Sequence, residues 1–178
     1  GGVGGGEAGR ELGRRDGISA QLFKASGTAL AGEVQVAEVT KDSQVQASVD
    51  MDNLGRFVIV WRSFDVVVQN GVNVTVATVR GRRFAANGSP ISSEFQINTT
   101  PIASPSTTDS FQAPDIDVDP SSGNWVVIWG NTNKFYARKY DSNGVPTTPE
   151  IQLQGAAATN FPFGTGRVAL ESSGAFTM

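Results

Sequence analysis

Asp115, Asp117 and Asp119 stand two residues apart, and Asp50 and Asp52 repeat that spacing earlier in the chain. Carboxylates spaced this way converge on one hard cation when the backbone loops around it, as at the start of a calcium loop. Asp115, Asp117 and Asp119 are therefore the candidate metal ligands, and calcium is the candidate ion. The competing reading is a β-strand. On extended backbone the same aspartates share one face, solvated or turned to a channel, opposite Val49, Met51, Ile116 and Val118, which would be buried. The last aspartate of each run would then start a turn. A third run, Val168-Ala169-Leu170-Glu171, keeps the place but loses most of the acid. Asp141-Ser142-Asn143-Gly144 reads as a turn before it reads as a ligand loop.

Two cationic pairs, Arg82-Arg83 and Arg138-Lys139, could face an anionic ligand such as an acidic glycan. The simpler expectation is cross-strand pairing with Glu94 and Glu150. Trp61, Trp125 and Trp129 could stack on sugars, but each lies within an apolar run, so they are expected in the core. The chain has no His and no Cys. That removes the Ser-His-Asp triad, thiolate metal sites, disulfides and the commonest general base. No catalytic set is expected: Ser121-Ser122-Gly123-Asn124-Trp125 matches a sialidase-type turn poorly, and no Tyr/Glu-plus-Arg triad assembles around it. The glycine-rich start, Gly1 to Gly6, follows no strand and carries no Lys-Ser/Thr, so it does not read as a phosphate cradle. Asn73, Asn87 and Asn98 open glycosylation sequons. A net charge of −3 without a basic face predicts no nucleic-acid partner. No apolar run approaches the roughly 20 residues of a membrane span.

The elements that must position these residues recur. Gly55-Arg56-Phe57-Val58-Ile59-Val60-Trp61 returns as Gly123-Asn124-Trp125-Val126-Val127-Ile128-Trp129 and begins again at Gly174-Ala175-Phe176. An unbroken β-branched run led by an aromatic predicts a strand covered on both faces. Gly27, Gly88 and Gly144 anchor a second motif. Ile18, Val79 and Phe135 stand nine residues before them, Phe23, Phe84 and Tyr140 four before, and Glu33, Glu94 and Glu150 six after. This is a strand, a turn, and a short Glu-apolar-Gln-apolar strand with one wet face.

A repeat of about 50 residues with four strands has the size of a propeller blade. The predicted fold is all-β: a partial β-propeller-like array of four-stranded antiparallel blades, ordered acidic strand, Trp strand, aromatic strand, Glu-x-Gln strand. A Gly-rich leader (1–16) precedes an outer half-blade (17–36), a blade (46–97), a second blade (112–153) and an inner half-blade (167–178). Residues 64–76 predict a long hairpin turning at Asn70-Gly71, and 99–111 predicts a loop. Three blades' worth of strands is fewer than a closed propeller needs, so the chain is expected to be a segment of a longer protein; the alternatives are that it self-associates or that its sheets stack in some other way.

These motifs resemble a repeat of very large bacterial secreted and cell-surface proteins. That repeat runs through an Ala-Gln-Arg-aromatic stretch into Asn/Asp-x-x-Gly-x-Pro, then Glu-Phe-Gln-Val-Asn, then an Asp-Gly-led Phe-Val-Val-x-Trp strand. Here the matching residues are Ala20-Gln21-Leu22-Phe23, Phe84-Ala85-Ala86-Asn87-Gly88-Ser89-Pro90, Glu94-Phe95-Gln96-Ile97-Asn98 and Tyr136-Ala137-Arg138-Lys139-Tyr140-Asp141. The Asp-Gly is replaced by Leu54-Gly55, Ser122-Gly123 and Ser173-Gly174. The resemblance covers roughly 17–178. It implies a propeller-like array, often beside calcium-binding nonapeptide repeats or adhesin modules, secreted or on the cell surface. The function it implies is a non-catalytic structural or binding repeat module serving adhesion, with a surface glycan or protein as partner. The alternative is a glycan-binding or glycan-processing β-propeller.

Overall fold

The computed structural model describes residues 17–40, 43–100, 102–103, 113–131, 134–153 and 166–178. The Gly-rich leader expected over 1–16 lies outside them. The described residues form thirteen strands and no helix.

Each repeat motif becomes a strand. The acidic runs are β3 (Gln44–Met51), β8 (Asp115–Val118) and β12 (Ala169–Leu170). The aromatic-led runs are β4 (Phe57–Gln69), β9 (Trp125–Asn131) and β13 (Phe176–Thr177). The strands before the Gly27, Gly88 and Gly144 turns are β1 (Ser19–Ala20), β5 (Val72–Phe84) and β10 (Lys134–Tyr140). The Glu-x-Gln strands are β2 (Val34–Gln35), β6 (Phe95–Gln96) and β11 (Ile151–Gln152). All six anchor glycines hold a positive φ, between 72° and 85°, a region that residues with a Cβ rarely adopt.

The strands pair as antiparallel meanders. One sheet runs β3-β4-β5-β6 and the next β8-β9-β10-β11, flanked by the two-stranded pairs β1-β2 and β12-β13. The long hairpin is present: β4 and β5 pair without interruption from Phe57↔Phe84 to Gln69↔Val72, and Asn70 and Gly71 both take positive φ, as a two-residue type I′ turn requires. The stretch read as a loop adds a strand. β7 (Ile102–Ala103) pairs with β5 at Val76 and Ala77, beside the hairpin extension. Ile102 is buried there, and that apolar gain outweighs the Ser/Thr/Pro-rich surroundings from which a loop was inferred.

The four layers stack face to face. Ile18, Val36 and Ala37 of the first pair meet Phe57, Ile59, Trp61 and Phe84. On the other face of the same sheet, Val58, Val60, Ala77, Val79 and Ile97 meet Ile116, Val118, Trp125, Val127 and Trp129. Beyond that, Val126, Ile128 and Ala137 meet Val168, Leu170 and Phe176. Odd and even residues of the aromatic-led strands therefore feed two different cores, which is why the sequence there has no polar alternation. Among the described residues the layers do not close on themselves.

Candidate functional site

The acidic strands lie side by side, β3 against β8 and β8 against β12. Each is the edge of its own sheet, and an edge strand carries backbone N–H groups that its own ladder leaves unpaired. The aspartates meet those groups. Asp50 Oδ2 accepts the backbone N–H of Val118 at 2.7 Å, and Asp117 Oδ2 accepts that of Leu170 at 2.6 Å. The two bonds are one device used twice, since Asp50 and Asp117 are equivalent in the repeat, as are Val118 and Leu170. Asp115 extends it, accepting Val168 N–H at 2.9 Å and the Ser48 hydroxyl at 2.9 Å, with Arg167 3.4 Å away.

The solvated-face expectation for these carboxylates is thus corrected. Asp52, Asp115 and Asp119 are buried, and Asp50 and Asp117 are half-buried. Ile116 and Val118 are buried as expected, but Val49 and Met51 are each 56% exposed. The difference is the neighbour. Ile116 and Val118 pack against Val58 and Val60 of the preceding sheet, whereas Val49 and Met51 have only the two short strands β1 and β2 before them.

The last aspartate of each run works locally. Asp119 accepts the N–H groups of Ser121 and Ser122 at 2.8 and 3.0 Å. Those two bonds hold its carboxyl below the usual range. Asp52 accepts Leu54 and Arg56 N–H at 2.9 Å each and pairs with the Arg56 guanidinium at 2.6 Å. Burial pushes its pKa up, but the Arg56 pair and the amides outweigh it and the net shift is downward. Asp117 moves the other way. Burial raises it, and the charge of Asp50 and a hydrogen bond with it add to the rise, against the Leu170 amide.

Asp115, Asp117 and Asp119, the residues from which a calcium site was expected, therefore split their partners among the preceding layer, the following layer and a turn. Among the described residues no three acidic side chains gather as a metal-holding group.

Neither a family model nor a curated protein matches this chain. No helix among the described residues is long and apolar enough to cross a membrane.

On the outer strands a second device repeats. Arg82 donates to the Val36 carbonyl at 3.0 Å, and Arg138 donates to the Ile97 carbonyl at 2.8 Å. Both reach back to the preceding layer. Glu94 accepts the N–H groups of Glu38 and Val39 at 2.8 and 3.3 Å. Glu150 accepts those of Thr99 and Thr100 at 2.8 and 3.4 Å. Arg82 also pairs with Glu38 at 2.7 Å.

The expected pairing of Arg82 with Glu94 on the neighbouring strand is corrected as well. Arg80 takes Glu94, at 2.8 Å, and holds Asp65 at 2.9 Å on its other side. Burial lowers the Arg80 pKa, but its two carboxylates more than reverse that. Arg80 lies opposite Gln96 in the ladder, and Glu94 stands two residues along from Gln96, so the pair is a diagonal one. Arg83 instead donates to the carbonyls of Ser142 and Asn143, and Lys139 donates to that of Gly174 at 2.5 Å. None of the four expected cations is left as an open anion patch.

The tryptophans are core. Trp61 is fully buried, and Trp125 stacks on Tyr140 with ring centroids 3.8 Å apart. Trp129 packs beside Tyr136 at 6.1 Å. Burial pushes the Tyr140 hydroxyl up to about 12, against the nearby Arg138.

Proposed function

We propose that the chain is a non-catalytic structural and binding module of a bacterial secreted or cell-surface protein, its layers arranged as a propeller-like array. Its work is to hold a rigid β surface on which a glycan or protein partner is met during adhesion. One observation carries the reading: the charged side chains of the repeat are committed to joining layers, and they do so at equivalent positions, Arg82 with Arg138, Glu94 with Glu150, and Asp50 with Asp117. A reacting group must be free to meet substrate, and these have partners already. The motif resemblance supplies the bacterial surface setting.

A glycan array probed with the folded chain, together with thermal melting of Arg138→Ala, tests the reading. The expected result is a lowered melting temperature, and no sugar signal that depends on Arg138. Sugar binding abolished by Asp117→Ala or Arg138→Ala at an unchanged melting temperature would replace the structural reading with the glycan-processing one.

A further inference from the structure

An apolar groove of about 560 Å³ opens between the first strand pair and the sheet that follows it. Ile18, Leu22, Phe23 and Leu30 line one wall, and Val49 and Met51 the other. Phe23 is 59% exposed and Leu30 52%, so this wall is unsatisfied rather than merely hollow.

The repeat says what belongs there. β5 and β10 each pair with an aromatic-led strand, β4 and β9. β1 is equivalent to β5 and β10, and among the described residues β2 is its only strand partner. At the other end, β13 is equivalent to β4 and β9, and β12 is its only described partner. Among the described residues, each end holds the half that the other lacks.

Single residues show the same mismatch. Phe57 and Phe84 face each other across strands and stack at 5.0 Å. Trp125 and Tyr140 do so at 3.8 Å. The third such pair by repeat position is Phe176 and Phe23, and these stand at opposite ends of the stack. Likewise Thr177 holds the place of Val58, which covers the β8 residues equivalent to Val49 and Met51.

We propose that the groove receives the 166–178 half-sheet of a second copy of this chain, so that β13 of one copy adds to the free edge of β1 in the other. Strand addition supplies the backbone bonds, and the Phe176–Phe23 stack sets the register. The contact is head to tail, so it either closes a ring or runs on as a filament. Two copies, each with two whole sheets and two halves, close as six sheets, within the usual range for propellers. Ala169 stands where Asp50 and Asp117 stand, so this joint has no carboxylate to receive the amide of Met51. It is weaker than the joints within a chain and comes apart on dilution. The inference rests on the propeller-like reading above.

The absence of native cysteine makes the test clean. Phe23→Cys and Phe176→Cys chains are mixed under mild oxidation, and the wild-type chain is followed by light scattering over a concentration series. Directly facing strand residues lie within disulfide reach. The expected results are a cross-linked dimer from the mixture, little from either variant alone, and a wild-type mass rising from 18.7 kDa to twice that. Leu30→Asp, an exposed change, should hold the chain at the monomer mass. A monomer at every concentration, cross-linking as fast in each single variant as in the mixture, or an intrachain bond in a chain carrying both Phe23→Cys and Phe176→Cys each overturns the proposal. If the wild type stays monomeric while Trp61, Trp125 and Trp129 remain shielded from acrylamide, only this proposal fails. If those tryptophans are quenched, the layered reading beneath it fails too.

Discussion

Val118 gives its backbone N–H to the carboxylate of Asp50, 2.7 Å away and one sheet earlier. Asp117 repeats the bond to Leu170 in the next layer. A short acidic run that resembles a cation loop is used here to quiet the edge of a neighbouring strand.

The two kinds of aspartate predict opposite responses to pH. The Asp117 pKa is raised in the fold, so its contribution favours folding fully below the unfolded value near 3.8 and is lost as pH rises through the folded value. At neutral pH its charge, set against Asp50, opposes folding. Asp117→Asn keeps an acceptor for Leu170 and removes that charge. It should raise the melting temperature at pH 7 by roughly a few degrees, with the gain shrinking towards pH 3. Asp52 is lowered, so its contribution is present above the unfolded value and lost as pH falls through the folded one. Asp52→Asn should therefore lower the melting temperature at pH 7, and the deficit should close in acid. Calorimetry across that range reads both signs.

Arg138→Ala removes a charge-assisted bond to the Ile97 carbonyl and uncovers part of the Tyr140 ring. The expected loss is about 1–3 kcal/mol by denaturant melts. Arg82→Ala, at the equivalent joint, should cost a similar amount, and the two losses should add, because the joints share no partner.

Gly27 and Gly123 separate backbone strain from crowding. Both have positive φ, 80° and 72°. A Cβ on Gly27 would meet nothing within 4 Å, while one on Gly123 would come within 2.7 Å of the Arg56 guanidinium and 3.2 Å of the Asp52 carboxylate. Gly27→Ala should cost about 1–2 kcal/mol from the left-handed backbone alone. Gly123→Ala should cost more and disturb the Asp52–Arg56 pair, visible as a larger fall in melting temperature at pH 7 than at pH 3.

Trp129→Ala should cost about 3–5 kcal/mol, since the ring fills the core shared by the two whole sheets. Chemical denaturation with tryptophan emission follows it directly. Melting with and without a calcium chelator should give the same temperature, because a ligand bound only to the folded state would raise it.

Much of the fold was legible because the repeat says the same thing several times. The Asn70-Gly71 turn, the anchor glycines and the buried tryptophans all follow from local chemistry and pattern. Burial of the acidic strands was not. Val49-Asp50-Met51 and Ile116-Asp117-Val118 share one pattern, yet only the second has a complete sheet in front of it. Alternation tells which residues share a face, not what that face meets. The carbonyls that Arg82 and Arg138 reach in the preceding layer lie more than 40 residues away. The signal that could have found them was the recurrence of a cation and a glutamate at fixed offsets from Gly88 and Gly144. Arg80 was missed because Asp65, its second partner, sits on the long hairpin that only one repeat carries.

Native-state hydrogen exchange at the Val118 and Leu170 amides tests the layered account most directly. Both lie on edge strands, where an open N–H exchanges freely. The account predicts strong protection of both, with Asp50→Ala releasing Val118 and leaving Leu170 protected. Rapid exchange of both amides in the unaltered chain would contradict it.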